Sequence, residues 1–84
     1  MYLEIQETLK QFISEELLNT RDTIDGDDNL LIDGMVDSIG MLRLVAFIEE
    51  SYNLKVPYED LTIENFGTVT VIADYLQRRQ VSKN

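Results

Sequence analysis

The chain has 84 residues, the size of one small domain, and contains neither cysteine nor histidine. Disulfide bonds, thiolate chemistry by its own side chains and imidazole catalysis are therefore excluded. Seven basic against sixteen acidic side chains give a net charge of −9, which would repel the phosphates of nucleic acid and anionic lipid headgroups, so we expect partners with basic protein surfaces.

The N-terminal sequence, Met1-Tyr2-Leu3-Glu4, lacks the basic region and apolar run of a secretory signal. No run of about eighteen apolar residues, the length that spans a membrane, occurs in the chain. We therefore expect a soluble, cytoplasmic protein in which residues 1–84 form a single domain. The self-repelling acidic charge favours a monomer.

Apolar side chains recur at steps of three and four residues between Leu3 and Leu18, with polar residues between them. This spacing predicts an amphipathic helix that packs through one face. The apolar positions are Ile5, Leu9, Phe12, Ile13 and Leu17.

Residues 19–37 form a predicted long loop, because the pairs Asp25-Gly26 and Asp33-Gly34 are turn signals and aspartate is poorly suited to helix interiors. Six aspartates concentrate negative charge just before Ser38: Asp22, Asp25, Asp27, Asp28, Asp33 and Asp37. Five apolar residues are expected to hold the loop against the bundle: Leu30, Leu31, Ile32, Met35 and Val36.

A second helix is predicted from Ser38 through Tyr52, with Asp37 as its N-cap and Asn53 as its exit. One side of it is core, formed by Met41, Leu44, Val45, Phe47, Ile48 and Tyr52. A second apolar strip, Ile39, Leu42 and Ala46, lies on the same face as Ser38. Either the helix is central and buries most of its circumference, or the strip is a docking surface for a partner protein.

The remaining chain predicts one short helix and one longer helix. Val56-Pro57 ends the preceding helical pattern, and Tyr58 to Thr62 is expected to form a short helix. Thr68 is expected to be the N-cap of the last helix. That helix has an apolar stripe of Val69, Ile72, Ala73 and Leu76, and Arg78 and Arg79 suit its negative end. The fold prediction is all-α: a small four-helix bundle of three longer helices and one short helix, with a long loop between helices 1 and 2.

Ser38 is the residue on which the functional interpretation depends. Without an imidazole to accept its proton it is poorly equipped as a nucleophile, so it is better suited to be a point of attachment. The start of a helix offers unpaired backbone amides and a partial positive charge, which suit a phosphate ester on the hydroxyl.

The stretch from Leu30 to Leu76 resembles the acyl carrier protein family, which includes the peptidyl and aminoacyl carriers. The resemblance lies in Gly34, Asp37-Ser38-Ile39, Glu49-Glu50 with Tyr52, Val56-Pro57 and Thr68-Val69. It implies that a separate phosphopantetheinyl transferase attaches 4′-phosphopantetheine from coenzyme A to Ser38. The thiol of that arm would hold an acyl or aminoacyl thioester for a loading enzyme and downstream synthases of fatty-acid, polyketide, nonribosomal-peptide or other specialised biosynthesis.

One departure from the fatty-acid carriers concerns docking. Carriers of that type usually have acidic residues soon after the serine, whereas this chain has Gly40, Met41 and Arg43. This departure favours a free-standing carrier of a specialised pathway, which the segment Leu61-Thr62-Ile63-Glu64-Asn65-Phe66 also resembles.

Three alternatives remain at this point. A small acidic adaptor would bind a basic partner and carry no prosthetic group. The segment Asp25-Gly26-Asp27-Asp28-Asn29 suggests a calcium site, but Leu30 stands where an EF-hand loop needs glycine and Val36 where it needs the closing glutamate, so no metal site is assigned. An enzyme would need Ser38 paired with Lys55 or Lys83, neither of which lies in a sequence context that predicts burial. We therefore expect no catalytic residues and no enzyme.

Overall fold

The computed structural model describes residues 2–20 and 24–82, and within these ranges the chain is helical without strands. Helix α1 spans Tyr2–Phe12 and continues into a π-helical turn, Ile13–Leu17. Helix α2 spans Ser38–Tyr52, a 3₁₀ turn spans Tyr58–Asp60, α3 spans Ile63–Phe66 and α4 spans Val69–Ser82. The predicted all-α bundle, with three longer helices, one short helix and a long first loop, is confirmed.

Helix α2 runs antiparallel to the helical segment formed by α1 and its π-helical extension. The rings of Phe12 and Phe47 stack with centroids 4.2 Å apart, and Arg43 Nη1 donates to the Glu16 carbonyl at 3.4 Å. Residues later in α1 therefore pair with residues earlier in α2. Arg43 is consequently directed toward the negative pole of α1, where a cation is stabilising.

The core is a single cluster of buried apolar side chains from α1, α2, α3, α4 and the first loop. Each long helix contributes residues that are fully excluded from solvent, among them Leu9, Leu44 and Leu76. Leu30 of the loop is equally buried, so the loop is part of the hydrophobic core. Burial of apolar surface is the main source of stability in a domain of this size.

Two predicted helix boundaries differ from the structure. The first predicted helix changes from α to π geometry at Ile13, where Leu18 N donates to the Ile13 carbonyl at 2.8 Å. The short helix predicted from Tyr58 to Thr62 is wrong: a 3₁₀ turn occupies Tyr58–Asp60, and α3 begins at Ile63. It begins there because the Thr62 hydroxyl accepts a hydrogen bond from Asn65 N and caps the helix.

The long first loop is anchored to the other end of the sequence by backbone hydrogen bonds. Leu30 N donates to the Gly67 carbonyl at 2.8 Å, and Thr70 N donates to the Gly26 carbonyl at 3.0 Å. Of the five apolar residues that were expected to hold the loop against the bundle, Leu30 and Val36 are buried and Leu31 and Met35 are half-buried. Ile32 is 64% exposed, so its expected role in the core is wrong.

The last helix has the predicted cap, because the Thr68 hydroxyl accepts from Val71 N at 3.1 Å. Arg79 does more than interact with the helix dipole: its Nη2 donates to the Lys55 carbonyl at 2.7 Å. No helix among the described residues is long and apolar enough to cross a membrane.

Candidate attachment site at the start of helix α2

Ser38 is exposed and is the first residue of α2. Asp37 precedes it in an extended conformation, and Asp37 Oδ1 accepts a hydrogen bond from Gly40 N at 2.7 Å. The Asp37 carbonyl accepts from Met41 N at 2.8 Å and begins the helical hydrogen-bond pattern. The predicted N-cap is confirmed, and the serine leads outward from a fixed turn.

The chain reaches this turn through two anchored residues. Val36 is 3% exposed, and its backbone nitrogen donates to the Leu30 carbonyl at 2.9 Å. Gly34 has a φ of +74°, a conformation that favours glycine, and its nitrogen donates to the Leu31 carbonyl at 3.1 Å. The loop therefore closes into a turn whose end is held by the core immediately before Asp37.

The second apolar strip of α2 lies on the surface. Ile39 is 70% exposed, Leu42 is 60% exposed, and Ala46 is also exposed. This contradicts the interpretation in which α2 buries most of its circumference. The core side is as predicted, with four residues buried and two half-buried: Met41, Leu44, Val45 and Ile48, then Phe47 and Tyr52.

The two glutamates near the end of α2 have different environments. Glu49 is half-buried, and its Oε2 accepts from Val56 N at 2.8 Å, so it fixes the chain before Pro57. Glu50 is exposed. Between Ser38 and Ala46 the exposed side chains of α2 are apolar apart from Arg43. The carboxylate next to this stretch is that of Asp37, at the end of the preceding loop.

The serine–lysine alternative does not fit the geometry. Helix α2 has 15 residues, a length of about 22 Å, and separates Ser38 at its start from Lys55 beyond its end. Lys55 is exposed, and Lys83 lies outside the described residues.

The acidic loop is organised by its own hydrogen bonds. Asp28 Oδ2 accepts from Asp25 N at 2.9 Å, and Asp25 Oδ1 accepts from Asp27 N at 3.0 Å. Among the described residues no group of three or more potential ligand side chains is placed to hold a metal ion. Asp22 lies outside the described residues.

The site fits a phosphate ester on the serine hydroxyl. Ser38 and Ile39 occupy the first turn of a helix, where backbone N–H groups have no partner within the helix and the dipole favours negative charge. The Asp37 carboxylate is directed at Gly40 N and is thereby held by the turn. The sequence pattern also did not predict the exposure of Ile63 in α3, whose side chain is 56% exposed.

Residues 7–76 match the protein family described as "Phosphopantetheine attachment site". The D-alanyl carrier proteins of Streptococcus pyogenes serotype M5 (strain Manfredo) and serotype M49 (strain NZ131) are each 32% identical to this chain over 54 residues. In both cases the match covers 64% of this chain and 68% of the relative.

Two solved structures have the same fold. A chain in the crystal structure of an FAD-dependent dehydrogenase superposes with a TM-score of 0.74 and 32% identity, covering 81% of this chain and 97% of that one. A chain in the crystal structure of Bradyrhizobium japonicum glycine:[carrier protein] ligase complexed with glycylated carrier protein gives a TM-score of 0.66 at 21% identity, covering 89% and 96%. The second likeness establishes the fold alone.

The family match extends over most of the chain and includes the first loop, α2, α3 and most of α4. Because this family carries a prosthetic group, an adaptor without one is not supported, and neither is an enzyme. The chain belongs to the phosphopantetheine-attachment family, the family of acyl carrier proteins, and its cofactor is covalently bound 4′-phosphopantetheine.

Proposed function

We propose that Ser38 is the attachment residue and that the chain carries an acyl or aminoacyl group as a thioester on its phosphopantetheine arm. The observation that carries this proposal is the exposure of Ser38 at the capped start of α2. A hydroxyl in that position is accessible to a transferase, and a group attached to it extends away from the core. The arm supplies the thiol that the chain, which has no cysteine, lacks.

The attachment step is a phosphoryl-type transfer catalysed by a separate transferase. Ser38 Oγ forms a bond to the phosphorus that bears the pantetheine group of coenzyme A, and the bond from that phosphorus to the departing adenosine 3′,5′-bisphosphate breaks. The serine proton passes to a general base of the transferase. The chain contributes a fixed hydroxyl and the positive end of α2.

The cargo that the comparisons support best is an amino acid. The D-alanyl carrier proteins, at 32% identity, are named for an aminoacyl cargo. The start of α2 agrees with a partner other than those of fatty-acid carriers, since Gly40, Met41 and Arg43 stand where acidic docking residues are usual in those carriers. Fatty-acid, polyketide and nonribosomal-peptide pathways are the wider set in which such a carrier operates.

The docking surface that we propose for the transferase and the loading enzyme is the strip Ile39, Leu42 and Ala46. These side chains lie on the helix that begins with Ser38, so a partner bound to them is brought to the attachment residue. The exposed carboxylate of Asp37 borders the serine end of the strip and favours a basic rim on the partner.

A second candidate partner is an FAD-dependent dehydrogenase, supported by the 32% identity to a chain of such a structure. That enzyme would remove two hydrogens from the carried group, passing two electrons and two protons to FAD, while the thioester remains intact. Presented with the loaded carrier, it should lower the mass of the cargo by two hydrogens. An unchanged cargo mass would eliminate this partner.

The attachment experiment uses the purified chain, coenzyme A and a phosphopantetheinyl transferase of broad specificity, with intact mass spectrometry as the readout. The wild type should gain one phosphopantetheine and Ser38→Ala should gain none. Ser51→Ala is the matched control, because Ser51 is another exposed serine of α2 and its variant should be modified like the wild type. An unmodified wild type would contradict the proposal.

The cargo experiment uses the modified chain. It is incubated with D-alanine, ATP and the enzyme that loads the D-alanyl carrier of S. pyogenes, and in parallel with malonyl coenzyme A and a malonyl transferase. We expect the mass of an alanyl group to be added in the first reaction only. Malonyl loading without alanyl loading would move the assignment to fatty-acid or polyketide biosynthesis. The cytoplasmic location, the monomeric state and the extent of the domain over residues 1–84 stay predictions.

A further inference from the structure

The first turn of α2 leaves little room for a side chain at Gly40, since a neighbouring atom would have to shift by a few tenths of an ångström to accept one. A Cβ at this residue would lie 3.0 Å from Val36 Cγ1 and 3.1 Å from Asp37 Oδ1, closer than such atoms normally pack. Glycine is otherwise a poor residue for a helix interior, where alanine is favoured. These two contacts therefore give the physical reason for a glycine at this position.

The two neighbours of Gly40 differ in their freedom to move. Val36 is 3% exposed and is tied through its backbone nitrogen to Leu30, which is completely buried and bonded to the Gly67 carbonyl. The Asp37 side chain is exposed. A side chain at residue 40 would therefore displace the Asp37 carboxylate, which lies 2.7 Å from Gly40 N, before it displaced Val36.

We infer that Gly40 is a positioning residue for the attachment reaction at Ser38. Its missing side chain lets the Asp37 carboxylate approach Gly40 N to 2.7 Å, closer than the Thr62 and Thr68 hydroxyls come to the capped nitrogens of Asn65 and Val71, at 3.3 and 3.1 Å. This close cap fixes the turn from which the serine hydroxyl projects. This inference rests on the proposed attachment at Ser38. Because Gly40 is not part of the docking strip, its substitution should change the rate of the bound step more than the affinity for the transferase.

The experiment measures kcat and KM of a phosphopantetheinyl transferase with four forms of the full chain: wild type, Gly40→Ala, Asp37→Ala and the double variant. For Gly40→Ala we expect kcat to fall about tenfold with KM nearly unchanged, since a displaced nucleophile slows a reaction that depends on orientation. Asp37→Ala should show a similar fall in kcat, together with a higher KM, because it also removes a carboxylate that attracts the basic rim of the partner. The double variant should be no slower than the slower single variant, because both substitutions remove the same cap.

Three controls make the outcome decisive. Ser51→Ala, on an exposed turn of α2 far from Ser38, should retain wild-type kcat and KM. Asp37→Asn, which keeps a capping oxygen, should recover most of the kcat lost in Asp37→Ala. Thermal unfolding of each variant separates loss of fold from loss of orientation.

The inference is overturned if Gly40→Ala is modified with the kcat of the wild type, if its loss multiplies with that of Asp37→Ala, or if it is unfolded at the reaction temperature. The last result would make Gly40 a purely structural residue. A wild type that is not modified at all would remove the proposed function itself and would be recognised before any variant is compared.

Discussion

The Tyr75 hydroxyl donates a hydrogen bond to Asp60 Oδ2 at 2.6 Å and thereby joins α4 to the segment that leads into α3. Arg79, one turn further along α4, lies 3.5 Å from the same carboxylate and donates to the Lys55 carbonyl. Tyr58 in this segment is 89% exposed. The contacts of Tyr75 and Arg79 with Asp60 and Lys55 therefore help to hold the connection between α2 and α3 against α4.

This cluster predicts a loss of stability at alkaline pH. Burial raises the pKa of Tyr75, and the hydrogen bond to Asp60 raises it further; burial also raises the pKa of Tyr52. The folded state thus keeps these protons at a pH where the unfolded chain releases them. The stabilisation is complete below the unfolded pKa of about 10 and is lost as the pH rises through the folded pKa.

Urea unfolding at a series of pH values from neutral to alkaline measures this effect. The free energy of unfolding of the wild type should fall above a pH of about 10. Tyr75→Phe should be less stable at neutral pH by about 1 to 2 kcal/mol, because the Asp60 carboxylate loses its donor, and should show a smaller alkaline decline. Tyr58→Phe is the exposed control and should follow the wild type. A Tyr75→Phe decline as steep as that of the wild type would exclude Tyr75 as a source.

The exposed strip of α2 predicts a variant that is folded but poorly modified. Leu42→Glu places a charge on a side chain that is 60% exposed, so the free energy of unfolding should change by less than about 0.5 kcal/mol. Its kcat/KM with the transferase should fall at least about tenfold, because the apolar contact is replaced by a carboxylate that must be desolvated.

Leu3→Glu is the matched control for the strip, since Leu3 is the same residue type, is 72% exposed and lies on α1. It should be modified at the wild-type rate. Equal losses in both variants would show that added negative charge, and not the strip, controls the reaction.

The anchor between the first loop and α4 predicts a steric effect at Gly26. A Cβ at this residue would lie 2.8 Å from Thr70 Oγ1, next to the hydrogen bond from Thr70 N to the Gly26 carbonyl. Gly26→Ala should therefore lower the free energy of unfolding by about 1 to 3 kcal/mol. In the double variant with Thr70→Ala the loss should be smaller than the sum of the two single losses, measured by urea unfolding. If the two losses of stability simply add, the strain in Gly26→Ala does not come from the contact with the Thr70 side chain.

Local signals in the sequence were sufficient to predict the start of helix α2. Asp37 caps the residue three positions later, Thr68 does the same for α4, and Asn53 ends α2 in the left-handed conformation with a φ of 53°. Each of these depends on one side chain and its own backbone, so a short stretch of sequence contains the information.

Features that depend on tertiary contacts could not be predicted from the sequence in this way. The exposure of Ile39 and Leu42 depends on where α1 packs, and helical spacing alone left two interpretations of the strip open. The Asp60–Tyr75 bond joins residues fifteen positions apart, so no short stretch of sequence contains it. Ile32 is apolar but exposed, which composition could not reveal.

The location of the attached group is the most direct test of the account. After incubation with coenzyme A and a phosphopantetheinyl transferase, the intact chain is fragmented in the mass spectrometer and the fragments that carry the added mass are identified. The account predicts that N-terminal fragments ending before residue 38 have unmodified masses and that those including Ser38 carry one phosphopantetheine. Added mass at Ser14 or Ser51, or a chain that stays unmodified, would contradict it.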